Sequence, residues 1–291
     1  VMGHIVAGLG EILWDLLPDG KQLGGAPANF AYHTKVLGAD AWVVSRVGDD
    51  GLGREILARA DGLKLQRECL TMDPEHATGT VSVELDGAGV PKYVIHENVA
   101  WDFIPVTEEL LGLAGRADAV CYGTLGQRGR VSREAIRSFL GATREDCLRV
   151  FDINLRQHFF GREILDWTLG KSTVVKLNDE ELPVVAATLG FDIGEEDKFV
   201  EALQQAYGVK VVAVTRGVRG SVLYAGGRRS EHGGVRVEVV DTVGAGDAFT
   251  AALAMGLFRG QDLDEINERA NRIAAYVCTQ KGATPEMPLT A

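Results

Sequence analysis

The chain has 291 residues, 46% of them hydrophobic and 24% charged, which is enough for a large core in about two small domains or one large α/β domain. Its net charge of −11 argues against nucleic acid or an anionic membrane as the main partner. Cys69, Cys121, Cys147 and Cys278 show no CxxC or metal-ligand spacing, so they read as buried thiols of a reducing compartment.

The start, Val1-Met2-Gly3-His4, runs straight into an apolar strand, with no leader pattern. No apolar run approaches the ~18 residues of a membrane span. The expected setting is cytoplasmic. His4 to Leu9 reads as a buried first strand. Glu11 and Asp15 follow in an apolar setting, before a turn at Pro18-Asp19-Gly20. A carboxylate in such surroundings needs partners, and sugar hydroxyls suit it because one carboxylate can accept two of them. For Glu11 a solvated strand end is an equal alternative.

Gly24-Gly25-Ala26-Pro27-Ala28-Asn29-Phe30 reads as a helix start, with proline near the first helical position and Gly38 as the stop after Leu37. Asn29 lies in the first turn, where its amide either binds a hydroxyl or serves the turn. The stretch lacks the GK[ST] of a Walker loop. Ala41 to Val47 reads as a strand, and Asp49 and Asp50 precede a helix from Arg54 to Ala60. Helix N-terminal carboxylates explain those two aspartates more simply than metal ligation does.

Thr78 to Leu85 and Val90 to His96 alternate with period two around Asp86-Gly87-Ala88-Gly89. That is a β-hairpin, expected as an antiparallel flap beside the main sheet. Trp101 then reads either as a pocket wall or as a core residue. Strands at Ala119–Tyr122, Val150–Arg156 and Thr173–Leu177 follow, with a helix over Val131–Leu140. Open α/β sheets bind ligands at strand C-terminal ends, which favours Asp152, Asn154 and Arg156. Arg156 could neutralise a phosphoryl group. Asn178 and Glu181 share a helix face, and either position Mg²⁺ through water or simply start the helix.

Lys210–Thr215 and Ser221–Tyr224 form a hairpin whose Gly-rich turn could approach a polyphosphate. The β-branched run Val235–Val240 reads as a strand leading into Asp241-Thr242-Val243-Gly244-Ala245-Gly246-Asp247-Ala248-Phe249. Strand, Gly-rich turn and helix make an anion-binding device, because the first N–H groups of a helix lack partners and the dipole favours negative charge. A carboxylate at Asp247 repels such a ligand unless it acts, as a base for a hydroxyl does in phosphoryl transfer. The plain alternative is a first-turn aspartate. A helix from Gly244 to Phe258 and a last helix opening at Asp262-Leu263-Asp264-Glu265 complete the chain.

Together these residues amount to a resemblance. Gly24-Gly25-Ala26-Pro27-Ala28-Asn29 with Val47-Gly48-Asp49-Asp50-Gly51-Leu52-Gly53 resembles the N-terminal signature of the ribokinase-like (PfkB) carbohydrate kinases. Asp241-Thr242-Val243-Gly244-Ala245-Gly246-Asp247 resembles the C-terminal one, with Asn178-x-x-Glu181 between. The resemblance implies a single kinase domain over 1–291: a Rossmann-like three-layer α/β/α core with a small antiparallel β lid from about 11–23 and 77–102. It implies ATP-dependent phosphorylation of a sugar hydroxyl with Mg²⁺.

Carried over by position, Asp247 is the base. The N–H groups of Gly244, Ala245 and Gly246 form the anion hole, and Arg156 assists. Asp15, Gly25 and Asn29 hold the sugar, with Trp101 as a further substrate-side candidate. Asn178 and Glu181 organise Mg²⁺ through water. Thr215, Gly217 and Gly220 follow the phosphates, with Asn271 near the adenine. A K⁺ loop would use Asp241, Val243, Val277, Gln280 and Gly282, although Glu286 replaces a small hydroxyl residue there. The Gly-Gly-Ala-Pro-Ala-Asn segment and the Glu11…Asp15 opening look most like fructokinases. Ribokinase, 2-keto-3-deoxygluconate kinase and nucleoside kinase share the scaffold, and a non-catalytic sugar or nucleotide sensor is the non-enzyme alternative. The family lid often meets a second lid, which implies a homodimer.

Overall fold

A computed structural model of the chain describes residues 3–18, 20–85, 91–192 and 194–288. The expected turn at Asp86-Gly87-Ala88-Gly89, Asp19 in the turn before it, and Val1-Met2 lie outside the described residues. The elements run β1 (Ile5–Leu9), β2 (Leu13–Leu17), β3 (Gly20–Gly24), α1 (Ala26–Val36), β4 (Asp40–Gly48), α2 (Gly51–Gly62), β5 (Leu70–Asp73), β6 (Thr80–Leu85) and β7 (Pro91–Ile95). Then follow α3 (Glu108–Ala114), β8 (Ala119–Tyr122), α4 (Arg130–Ala142), β9 (Leu148–Asp152), α5 (Arg162–Leu169), β10 (Val174–Asn178), α6 (Glu181–Leu189) and α7 (Glu196–Tyr207). The chain ends with β11 (Val211–Thr215), β12 (Ser221–Ala225), β13 (Arg228–His232), α8 (Ala245–Phe258) and α9 (Leu263–Cys278).

Nine strands form one sheet in the order β13-β12-β11-β10-β9-β8-β1-β4-β5. It is parallel from β11 to β5, and β12 and β13 close one edge antiparallel. The central strands read as continuous apolar runs because helices cover both faces. One core packs α3 to α7 on one face of the sheet, and the other face carries α1, α2, α8 and α9. This is the expected three-layer architecture. From β1 the chain goes first to β4 and β5 on one side, then returns to β8 on the other. That reversal opens a crevice at the strand C-terminal ends, where ligands bind in open α/β sheets.

A second sheet has the order β3-β2-β6-β7. The hairpins β2–β3 and β6–β7 are antiparallel, and they are joined by parallel pairing of β2 with β6. Since β2 follows β1 after only a few residues, this small sheet is tied to the crevice.

Two strand expectations are corrected. Val235–Val240 is not a strand: β13 already occupies the sheet edge, and Val239 and Val240 stay 51% and 63% exposed. The strand expected to reach Arg156 ends at Asp152, because Asn154 and Gln157 turn to positive φ of 45° and 48° and break the extended path. The edge strand β13 went unread in the sequence, since Arg228-Arg229-Ser230-Glu231-His232 carries no apolar alternation.

Candidate active site

On one side of the crevice, α8 begins at Ala245 after Gly244, whose φ of 80° is left-handed. A Cβ on Gly244 would also lie 2.6 Å from Ala283 Cα, so both backbone angle and space require glycine here. The helix that follows is alanine-rich and buried from Ala248 to Gly256, packed against α9 and α1. Its N-terminus therefore points into the crevice as a fixed dipole. The Ala245 N–H makes only a long 3.3 Å bond to Thr242 O. A cleft of about 390 Å³ opens beside it and brings together Thr215, Gly217, Gly220, Ala245, Gly246 and Asn271, all expected from the sequence. Val235, Val237, Val239 and Phe249 line it too, which explains the exposed valines that no strand claims. The Asn271 amide is held by Ser221 Oγ at 2.7 Å and by Asn267 O at 2.8 Å.

On the other side sit the acceptor candidates. Asn29 Nδ2 donates to Asp247 Oδ2 at 2.8 Å, joining the two sequence motifs across 218 residues. Burial pushes the Asp247 carboxyl up to about 6 and Asp152 adds to the effect, while Asn29, Lys176 and Arg156 oppose it. Burial likewise raises Asp15 to about 6, with Arg156 opposing and Asp241 adding. Gly25 has φ 111°, and a Cβ there would come within 2.4 Å of Glu11 O. Arg156 is exposed beyond β9 and acts electrostatically on Glu11, Asp15 and Asp247.

Glu11 settles its alternatives in favour of burial: it is 3% exposed, and Oε2 has no hydrogen-bond partner. Burial raises it to about 7 against the hydrogen bonds of its own and the Ala26 N–H groups. An unpartnered buried carboxyl oxygen beside Gly25 and Asp247 is a costly feature unless something binds there.

Sequence reading missed Lys176. Its ammonium is buried in the middle of β10, 3.0 Å from Asp152 Oδ1. The signal was a lone lysine inside the apolar run Val174-Val175-Lys176-Leu177, which a buried strand does not carry without a partner.

Asn178 and Glu181 meet, but through the backbone. Glu181 accepts from Leu155 N and Asn178 N, both at 2.8 Å, and Asn178 Oδ1 accepts from Glu180 N and Glu181 N. These bonds start α6, the plainer of the two expectations, and with both carboxylate oxygens engaged any Mg²⁺ organised by the pair would be reached through water. No cluster of three or more His, Cys, Asp or Glu suited to a metal occurs among the described residues.

Asp241 accepts from Val243 N and Gly282 N at 3.0 Å each, and Val240 N reaches Cys278 O, so the segments carrying Asp241, Val243, Val277, Gln280 and Gly282 lie side by side. Asp50 caps α2 through Gly53 N and also holds Thr78, which leaves the metal alternative without support.

Trp101 is a correction. It is fully buried, with the Arg128 guanidinium 3.9 Å over its ring, so it stands behind the site as a core residue. Arg128 is itself buried there, paired with Asp102 at 2.8 Å.

The sheet reversal, the helix N-terminus and the second, smaller sheet define the ribokinase-like α/β fold. The pfkB family carbohydrate kinase pattern matches residues 19–290. The chain is 32% identical over 302 residues to a fructokinase of Escherichia coli, covering 96% of this chain and 95% of that protein. A Vibrio cholerae fructokinase solved with fructose, ADP and calcium is 26% identical, with 97% and 95% of the two chains covered and a TM-score of 0.81. An uncharacterized sugar kinase of Pyrococcus horikoshii solved with ATP is also 26% identical, over 96% and 94% of the chains, with a TM-score of 0.82. The chain belongs to the pfkB family of carbohydrate kinases and is a sugar phosphotransferase. No helix among the described residues is long and apolar enough to cross a membrane.

Proposed function

We propose that this enzyme transfers the γ-phosphoryl group of ATP to the primary C6 hydroxyl of fructose. The observation that carries the reading is the Asn29–Asp247 hydrogen bond at the mouth of the α8 N-terminus. It joins a hydroxyl-binding amide, a carboxylate and an anion-binding turn at one point. Fructokinases of Escherichia coli and Vibrio cholerae among the relatives support the sugar.

In this reading ATP lies in the cleft of Thr215, Gly217, Gly220 and Asn271, with its terminal phosphate on Gly244–Gly246. Asp15, Gly25 and Asn29 orient the sugar, and the small sheet covers it as a lid. Asp247 takes the hydroxyl proton as the oxygen attacks phosphorus in line, and ADP leaves. Mg²⁺ supplies charge neutralisation on the phosphates, organised at a distance by Asn178 and Glu181. The loops at Asp241 and Gly282 are the place for K⁺. Exposed Tyr93 on β7 suits the lid for meeting a second copy.

Coupled detection of ADP with fructose, ribose, 2-keto-3-deoxygluconate and adenosine tests the acceptor. The expected result is turnover that depends on Mg²⁺ and is highest with fructose; faster turnover of another acceptor would replace fructose in the reading.

A further inference from the structure

Beneath the anion-binding turn lies a buried charge arrangement that the proposed reaction does not otherwise use. Lys176 is 6% and Asp152 3% exposed, and they pair at 3.0 Å across neighbouring strands β10 and β9. The other Asp152 oxygen lies 2.9 Å from Thr250 Oγ1, one turn into α8. Thr250 Oγ1 is also 2.9 Å from Gly246 O, so its one proton is shared between sheet and helix. A Cβ built on Gly246 would stand 3.1 Å from Lys176 Nζ. A side chain at Gly246 would therefore crowd the buried ammonium.

The surrounding charge is unbalanced. Burial opposes the charge on Lys176, and the acidic groups Asp152, Glu181 and Asp247 favour it. Phosphoryl transfer would bring further negative charge to the same turn. A helix N-terminus supplies only about half a positive charge.

We propose that Lys176 is the buried counter-charge of the anion-binding turn: clamped by Asp152 and Thr250 beneath Gly246, it fixes the first turn of α8 and offsets the negative charge gathered there during transfer. Lys176 is thus a positioning residue acting through Gly246 and Asp247. This rests on phosphoryl transfer at the α8 N-terminus as proposed above. The groups facing Asp247 are Asn29 from α1, Asp152 from β9, Lys176 from β10, and Arg156 and Glu11 from the strand ends.

The test uses the full chain with Lys176→Met, Lys176→Arg and the double variant Lys176→Met/Asp152→Asn. Each is followed by melting temperature, sugar KM, kcat and the acid limb of the pH profile. Removing one partner of a buried pair leaves an uncompensated charge, whereas removing both does not, so the double variant keeps the test open if Lys176→Met fails to fold. The expected result for folded Lys176→Met and for the double variant is a kcat about a hundredfold lower with sugar KM within threefold, the range set by losing one electrostatic stabiliser. In Lys176→Met the acid limb moves to higher pH, because Asp247 loses a cation while Asp152 remains. Lys176→Arg recovers part of the rate. A folded variant without the ammonium that keeps kcat within threefold of wild type overturns the proposal and leaves the pair purely structural. A wild-type protein that turns over no sugar overturns the reaction itself, and this inference with it.

Discussion

The two sides of the crevice are built from different materials. The proposed nucleotide side is backbone and apolar surface: glycines at 244 and 246, a helix dipole and a cleft walled by Val235, Val237 and Phe249. The proposed acceptor side is a set of carboxyls, Glu11, Asp15 and Asp247, each raised by burial to between about 6 and about 7. Backbone N–H groups cost little to hold in place, since α8 forms anyway. Carboxylates taken out of water destabilise the empty protein until a ligand or a cation answers them. The contrast teaches where stability is sacrificed for function. It lies on the proposed sugar side, and substitutions on the two sides should differ in kind.

The largest effect is expected at Asp247. Asp247→Asn keeps the hydrogen bond to Asn29 but cannot take a proton, so kcat in coupled ADP release should fall about a thousandfold or more. Sugar binding by calorimetry should persist. Retention of most of the wild-type rate would remove Asp247 as the base. On the nucleotide side, Gly244→Ala forces a left-handed alanine against Ala283, and kcat/KM for ATP should drop about a hundredfold. If ADP affinity instead stays normal and only sugar KM changes, the sides have been assigned the wrong way round.

The third test is pH. Asp247 with a pKa near 6 acts as a base only when ionised, so kcat should rise through about pH 6 and fall about tenfold per unit below it. A flat profile down to pH 5 would contradict the burial of that carboxyl.

Asp15→Asn should raise sugar KM about tenfold, the loss of one charged hydrogen bond. It should also stabilise the empty protein at pH 8, and the sign follows from linkage. A carboxyl raised from 3.8 to about 6 in the folded state contributes stability through its proton, in full below about pH 4 and lost as pH rises through about 6. Asparagine does not lose it. The gain is about 1 kcal/mol after allowing for partial exposure, read as a higher melting temperature that vanishes at pH 4. The smallest effect belongs to Trp101→Phe. Weakening the contact with Arg128 and shrinking a buried ring should cost about 1–2 kcal/mol of stability while sugar KM stays within twofold; a larger KM change would return Trp101 to the pocket wall.

How much of this was legible in the sequence varies with distance along the chain. The α8 motif is local: turn, cap, glycines and aspartate lie within nine residues, and helix geometry alone makes them an anion site. The same holds for Gly25 to Asn29 and for the Asp50 cap. Alternating apolar runs and helical stripes depend on near neighbours and gave the strand–helix alternation, while the three-layer arrangement was what the resemblance implied. Val235–Val240 has strand composition, yet a strand needs an edge to pair with, and β13 had taken it. Trp101 has pocket chemistry, but Arg128 covers it, and nothing within its own segment announces that.

The sequence by itself pointed to the reaction class, because the two signatures that resemble the pfkB carbohydrate kinases are short local patterns. Only the tertiary structure decided which charges are buried and what they face. Glu11 stands between β1 and β2, Asp152 on β9 and Lys176 on β10, and their meaning depends on solvent exclusion and on distances such as the 3.0 Å between Lys176 and Asp152. Those distances are fixed by strand order and helix packing, and no window of the sequence contains them.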